Sequence, residues 1–125
     1  MDRVQWIEHK GKKILYLNYT GLRAKVPEEK SIVLGVIKEA TAIASASPEK
    51  IRFLSDVTNT VSDTDVVDAL REFGRFTNEN GKVEKECVVG VTGLQKTLVS
   101  MLNLMSKTKL VIFDTLEQAR EYLTG

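Results

Sequence analysis

Three short apolar runs, "IRFLSDV" (51–57), "ECVVGV" (86–91) and "KLVIFD" (109–114), alternate along the chain with stretches of helical spacing. This alternation constrains the fold more than any other feature. Short runs with little polar interruption are what strands look like when both faces of their sheet are covered. Strands separated by helices join in parallel through crossovers, so the expected architecture is an α/β sheet with helices packed on it.

The intervening stretches carry helix signals. One helix starts near Pro27, a residue well tolerated in a first turn, with Glu28 and Glu29 suited to the positive end of the helix dipole. Ile32, Val36, Ala40 and Ile43, with Val33, Ile37 and Ala44, form its apolar stripe, and Pro48 sets its limit. A second helix follows from about Asp63, with Ser62 as N-cap and Asp65 in the capping-box position. Its inner face is Val66, Val67, Leu70, Phe73 and Thr77. Leu94, Leu98, Met101, Leu102 and Met105 give a third helix, and "TLEQAREYL" a final one, capped by Thr115 and Gln118.

Ahead of these lie "RVQWIEH" and "KILYLNY", two strand-like runs joined by the glycine-centred turn "KGKK". The order is then β-β-α-β-α-β-α-β-α, one domain over residues 1–125. The sheet is expected to be mostly parallel, with an antiparallel N-terminal strand at its edge.

Eighteen basic and seventeen acidic residues leave a net charge of +1, which gives no overall electrostatic footprint for nucleic acid. A single cysteine excludes an internal disulfide, the charged N-terminal segment does not read as a signal peptide, and no apolar stretch approaches the roughly 20 residues of a membrane span. A cytoplasmic location is the expectation.

"GVTGLQKT" (90–97) has the outline of a phosphate-binding loop, but a Walker loop counted from Gly90 needs glycine at position 95, where Gln95 stands. Thr92 as N-cap with Gln95 as its box partner accounts for these residues. Gly90 and Gly93 relieve crowding where a buried strand turns into a helix. A helix start can still hold an anion, so Tyr19, Thr92, Gly93 and Lys96 are kept as an anion or small-ligand site.

No enzyme is expected. Cys87 lies among apolar residues, His9 is the one histidine in a charged segment, and neither has an evident partner for acid–base or nucleophilic work. Too few His and Cys are present for a multi-ligand transition-metal site, and no cofactor is expected.

The phrases "GKKILYLNYTGL", "SDVTNTVSD", "VVGVTGLQK" and "IFDTLEQAREYL" resemble the SpoIIAA-like branch of the STAS group, whose domains occur in anti-sigma factor antagonists and in the tails of sulfate transporters. The resemblance spans essentially the whole chain and implies a STAS fold and a non-catalytic regulatory role through protein contact. Antagonists of this group carry an Asp-Ser-Ser-Gly phosphorylation motif at the start of the second helix. "SDTDVV" stands there in this chain, so the phosphoacceptor signature is absent, and whether Ser62 or Thr64 is modified is not decided by it. The resemblance implies a partner surface over Asp56, Thr58, Asn59, Ser62, Asp63, Thr64, Asp65 and Asp68. The fold is shared with SEC14-like lipid-binding domains, which makes a small-molecule or lipid carrier the alternative. A protein partner, a homodimer and a small apolar or anionic ligand are all left open.

Overall fold

The computed structural model describes residues 2–92, 96, 99, 103 and 109–125. Strands β1 (Val4–His9) and β2 (Lys12–Asn18) form the N-terminal hairpin. The two residues between them, Lys10 and Gly11, have φ of 53° and 77°. Positive φ at both central residues matches the right-handed twist of the flanking strands, and glycine reaches it without strain.

Helix α1 (Pro27–Ala46) has Pro27 in its first turn and ends ahead of Pro48. Val33, Val36, Ile37, Ala40 and Ala44 are buried as the spacing predicts. Ile32 is not: it is 44% exposed, because the stripe is wider than the face the sheet can cover. After β3 (Ile51–Asp56) comes α2 (Thr64–Glu79), then β4 (Val83–Val89) and β5 (Leu110–Phe113), and finally α3 (Leu116–Thr124). Of the helix expected between Leu94 and Met105, the five residues that define its stripe lie outside the described residues. Lys96, Val99 and Asn103 are helical, and Val99 is buried. The Asn103 side chain binds both backbone groups of Leu110, accepting from its N–H at 2.7 Å and donating to its carbonyl at 3.0 Å.

The five strands lie in the order β1-β2-β3-β4-β5, which is also their order in the chain. β1 is antiparallel to β2, and every later pair is parallel. The sheet has two apolar faces, as a period of two requires. On one, Leu15, Leu17, Ile51 and Phe53 pack beneath α1 and α2. On the other, Ile14, Leu54, Cys87 and Val89 pack beneath Ala119 and Leu123 of α3.

α3 is short and has no basic residue in its own last turn. Cations from the amino ends of three neighbouring strands supply the missing charge. Lys12 donates to the carbonyl of Thr124, Arg52 to that of Leu123 at 2.9 Å, and Lys85 to those of Tyr122 and Gly125. Cations at the carbonyl end of a helix are favoured by its dipole and by the orphan acceptors there. At its start, Thr115 and Gln118 form the expected capping box.

Gly90 sits at the exit of β4 with φ of 85°, against the backbone of Thr58. A Cβ placed there would lie 2.7 Å from both Thr58 Cα and Thr58 N, closer than any real contact. Gly90→Ala should therefore cost at least about 3 kcal/mol, from left-handed backbone strain plus overpacking. Urea denaturation should show this as a large drop in midpoint or as failure to fold; a midpoint near that of the parent would refute the close packing.

Candidate functional site

The carboxyl ends of β2, β3 and β4 form one edge of the sheet, where open parallel sheets bind their ligands. Asp56, the last residue of β3, organises this edge. It is buried, and three donors reach its carboxylate. Oδ1 accepts from the Thr58 N–H at 3.1 Å and the Thr58 hydroxyl at 2.7 Å, and Oδ2 accepts from the Tyr16 hydroxyl at 3.0 Å. A buried carboxylate is tolerable only when paired or hydrogen-bonded in this way. Burial and the Asp56 charge together push the Tyr16 phenol up to about 12. It therefore stays protonated and keeps donating.

The turn built on Asp56 is then stitched to the loop that follows β2. Tyr19 N–H donates to the Asp56 carbonyl at 2.9 Å and Gly21 N–H to that of Thr58 at 3.0 Å. Val61 N–H donates to Leu22, and Ala24 N–H back to Val61. The Thr60 hydroxyl donates to the Tyr19 carbonyl at 2.6 Å. Asn59, at the tip, has φ of 56°, a conformation asparagine tolerates better than most residues.

The first turn of α2 follows. Its N-cap is Asp63, not Ser62 as the sequence suggests: Asp63 is extended, and its Oδ1 accepts from Val66 N–H at 2.9 Å. Either side chain can cap, and a one-residue shift also removes Asp65 from the capping-box position. Asp65 instead meets Lys30 of α1 at 2.6 Å, and Asp63 meets the same ammonium at 2.8 Å. This pairing, with the capping bond, holds the Asp63 carboxyl below its ordinary value. Asp68 is exposed and touches Arg71 at 3.4 Å.

The surface expected over 56–68 thus separates into two layers. Asp56 is internal and holds the loop in shape. Thr58, Asn59, Thr64, Asp65 and Asp68 are exposed along it, with Ser62 and Asp63 half-buried between. Of the other expected grouping, Tyr19, Thr92 and Lys96 are among the described residues. Tyr19 is buried and its phenol is raised by burial. Thr92 and Lys96 are exposed, joined by Lys96 N–H donating to the Thr92 carbonyl at 2.9 Å. Gly93 and the box partner Gln95 lie outside the described residues.

Beside Tyr19 is an apolar cavity of about 90 Å³, walled by Val57, Val66, Leu70, Val88 and Val99. Among the described residues no group of three His, Cys, Asp or Glu is placed to hold a metal ion, and no helix is long and apolar enough to cross a membrane. Cys87 is buried, its thiol pushed up to about 12 by burial and by the neighbouring Glu86. His9 pairs with Glu121 instead, at 2.9 Å.

Three participants carry no signal in the sequence pattern. Tyr16 reads as one more apolar strand residue. Arg120 reads as the polar face of a helix, yet its charge acts on the Tyr16 phenol and its Nε is buried without an acceptor among the described residues. Glu86 reads as the polar start of a strand, but it sits in the groove beneath α2 with Leu70, Phe73, Arg71 and Arg75.

Desolvation raises the Glu86 carboxyl from 4.5 to about 7. The folded protein then binds this proton more tightly than the unfolded chain does. Stability from Glu86 is fully present below pH 4.5 and declines as pH rises through about 7. Glu86→Gln should flatten that dependence and raise the melting temperature at pH 8. An unchanged pH profile of melting would show that Glu86 is not desolvated.

No family model matches this chain, and no curated protein does either. A solved structure does: the crystal structure of an uncharacterized protein from the DUF3478 family with a SpoIIAA-like fold, from Shewanella loihica PV-4. The two superpose with a TM-score of 0.67 over 96% of this chain and 91% of that one, at 15% sequence identity. Together with the antiparallel β1-β2 pair, the parallel remainder and the helices on both faces, this likeness gives the chain a SpoIIAA-like fold, the fold of STAS domains.

Proposed function

We propose that this chain, as one domain over residues 1–125, is a non-catalytic STAS-like binding module. It meets a protein partner through the loop after β3 and the first turn of α2. The observation that supports this most is the way the loop is held. A buried carboxylate and a ladder of backbone bonds fix its shape while Thr58, Asn59, Thr64, Asp65 and Asp68 stay exposed. A loop ordered before binding loses little entropy on contact, and binding residues on rigidly supported loops are a common arrangement. The STAS resemblance implies partner contacts in the same region, which supports the reading. The exposed acids favour a basic partner patch and an association rate that falls with salt. Phosphorylation is not required, because carboxylates already supply charge beside the helix start.

Asp68 tests this reading because it is exposed, lies past the cap and, among the described residues, is held by the long contact to Arg71. Asp68→Lys should leave the melting temperature nearly unchanged. It should weaken binding to the partner by about tenfold or more, with a reduced salt dependence of the association rate. Undiminished binding by the variant would remove this surface from the interaction.

The second reading, a carrier for a small apolar ligand, is favoured by the cavity beside Tyr19. Its volume of about 90 Å³ limits what it holds. An engineered apolar cavity of roughly 150 Å³ admits benzene. An acyl chain is far too large for the space walled by the described residues, so a SEC14-like lipid cargo would demand that it widen. Organic extraction of the purified protein should return no stoichiometric lipid; recovery of one lipid per chain would put the carrier reading first.

A further inference from the structure

The opposite edge of the sheet, at the amino ends of the strands, carries a feature that neither reading uses. An open groove of about 270 Å³ lies between the β1-β2 turn and the loop joining α1 to β3. Trp6 forms one wall and is 48% exposed, although it is the sole tryptophan of the chain and sits in a strand. Trp6 pairs across the hairpin with Leu15, and Glu8 with Lys13, so Trp6 and Lys13 are diagonal neighbours on one face. Lys50 lines the other side with Ser47 and Glu49.

The cations here are not neutralised by carboxylates. Among the described residues Lys13 and Lys50 form no ion pair. Lys82 spends its ammonium on the Ser47 carbonyl, at 2.6 Å. Lys12 and Arg52, which also line the groove, bond to backbone carbonyls of α3, and Lys85 bonds to backbone carbonyls and lies 5.0 Å from the Tyr122 ring centroid. The carboxylates of Glu8 and Glu49 nearby temper this field, leaving an excess suited to one anionic centre and not to a polyanion.

We propose that this groove binds a small anion that carries a flat ring. The ring lies against the Trp6 indole, and the anionic group is held by Lys13 and Lys50. Apolar burial of an indole face, with charge-assisted hydrogen bonds at its rim, is how compact sites combine affinity with orientation. A nucleoside monophosphate and an aromatic carboxylate share this chemistry. Because the groove lies at the far edge from Asp68, its occupancy is independent of the partner surface proposed above.

Trp6, as the one tryptophan, makes its own emission the readout. The full chain is titrated with adenosine 5′-monophosphate and, separately, with benzoate. Adenosine supplies the ring without the charge, and inorganic phosphate and acetate the charge without the ring. The expected result is saturable quenching by at least one of the two ring-bearing anions, about tenfold tighter than by its uncharged or ringless counterpart. The one that saturates identifies the source. Lys13→Gln with Lys50→Gln should weaken that affinity by about tenfold while leaving the melting temperature in place. Calorimetry on Trp6→Ala, in which the signal is gone, should show the same loss. The proposal fails if neither anion saturates by roughly 10 mM, if inorganic phosphate or acetate binds as tightly, or if the double variant binds unchanged.

Discussion

Among the described residues, one face of the sheet is closed by α3, and that helix is nine residues long. A helix of this length does not persist by itself in water. It persists here because both of its ends are fixed. The Thr115–Gln118 box satisfies its first N–H groups, and Lys12, Arg52 and Lys85 bind its last carbonyls. Between the two ends Ala119 and Leu123 bury completely over Ile14, Leu54 and Cys87. Without this cover the central strands would expose an apolar face, and a largely parallel sheet with one bare face is not a stable arrangement.

The same face explains how the carboxyl edge keeps its form. Tyr16, on the α3 side of β2, reaches Asp56 on the α3 side of β3, and Asp56 fixes Thr58. Thr58 in turn lies against Gly90 at the exit of β4. Three adjacent strands are therefore tied together at the edge from which the α2 loop projects. What a partner would meet is set by contacts one layer down, through the bonds of Asp56 to Thr58 and of Lys30 to Asp63 and Asp65.

Much of this was legible in the sequence, and the reasons differ by element. β3 was readable because Ile51, Phe53 and Leu54 are apolar toward both faces, and α1 because its stripe repeats from Ile32 to Ala44. The capping box of α3 is a purely local signal and survived folding intact. The misses have tertiary causes. Ile32 belongs to the α1 stripe by spacing, but the sheet is too narrow to cover it. β4 begins at Val83, three residues ahead of its apolar run, because Val83 pairs with Ile51 and Lys85 with Arg52, the register shifting past Glu84 between them. The N-cap of α2 falls on Asp63 because of where the loop arrives, which spacing alone does not determine. No pattern in one chain marks Glu86 as desolvated, since its burial comes from elements far away in sequence.

The end of α3 has a bearing on how freely this molecule can change over generations. Lys12, Arg52 and Lys85 recognise main-chain oxygens, and every amino acid carries one. The identity of residues such as Thr124 and Gly125 is thus uncoupled from the charge that anchors them. A substitution in the last turn leaves these contacts available wherever packing admits the new side chain, whereas a lost cation in a strand has no basic residue in the last turn of the helix to replace it. Variation among descendants of this chain is accordingly expected to be restrained at the three basic positions by charge, and in the last turn by the burial of Leu123 and Thr124 and not by those cations.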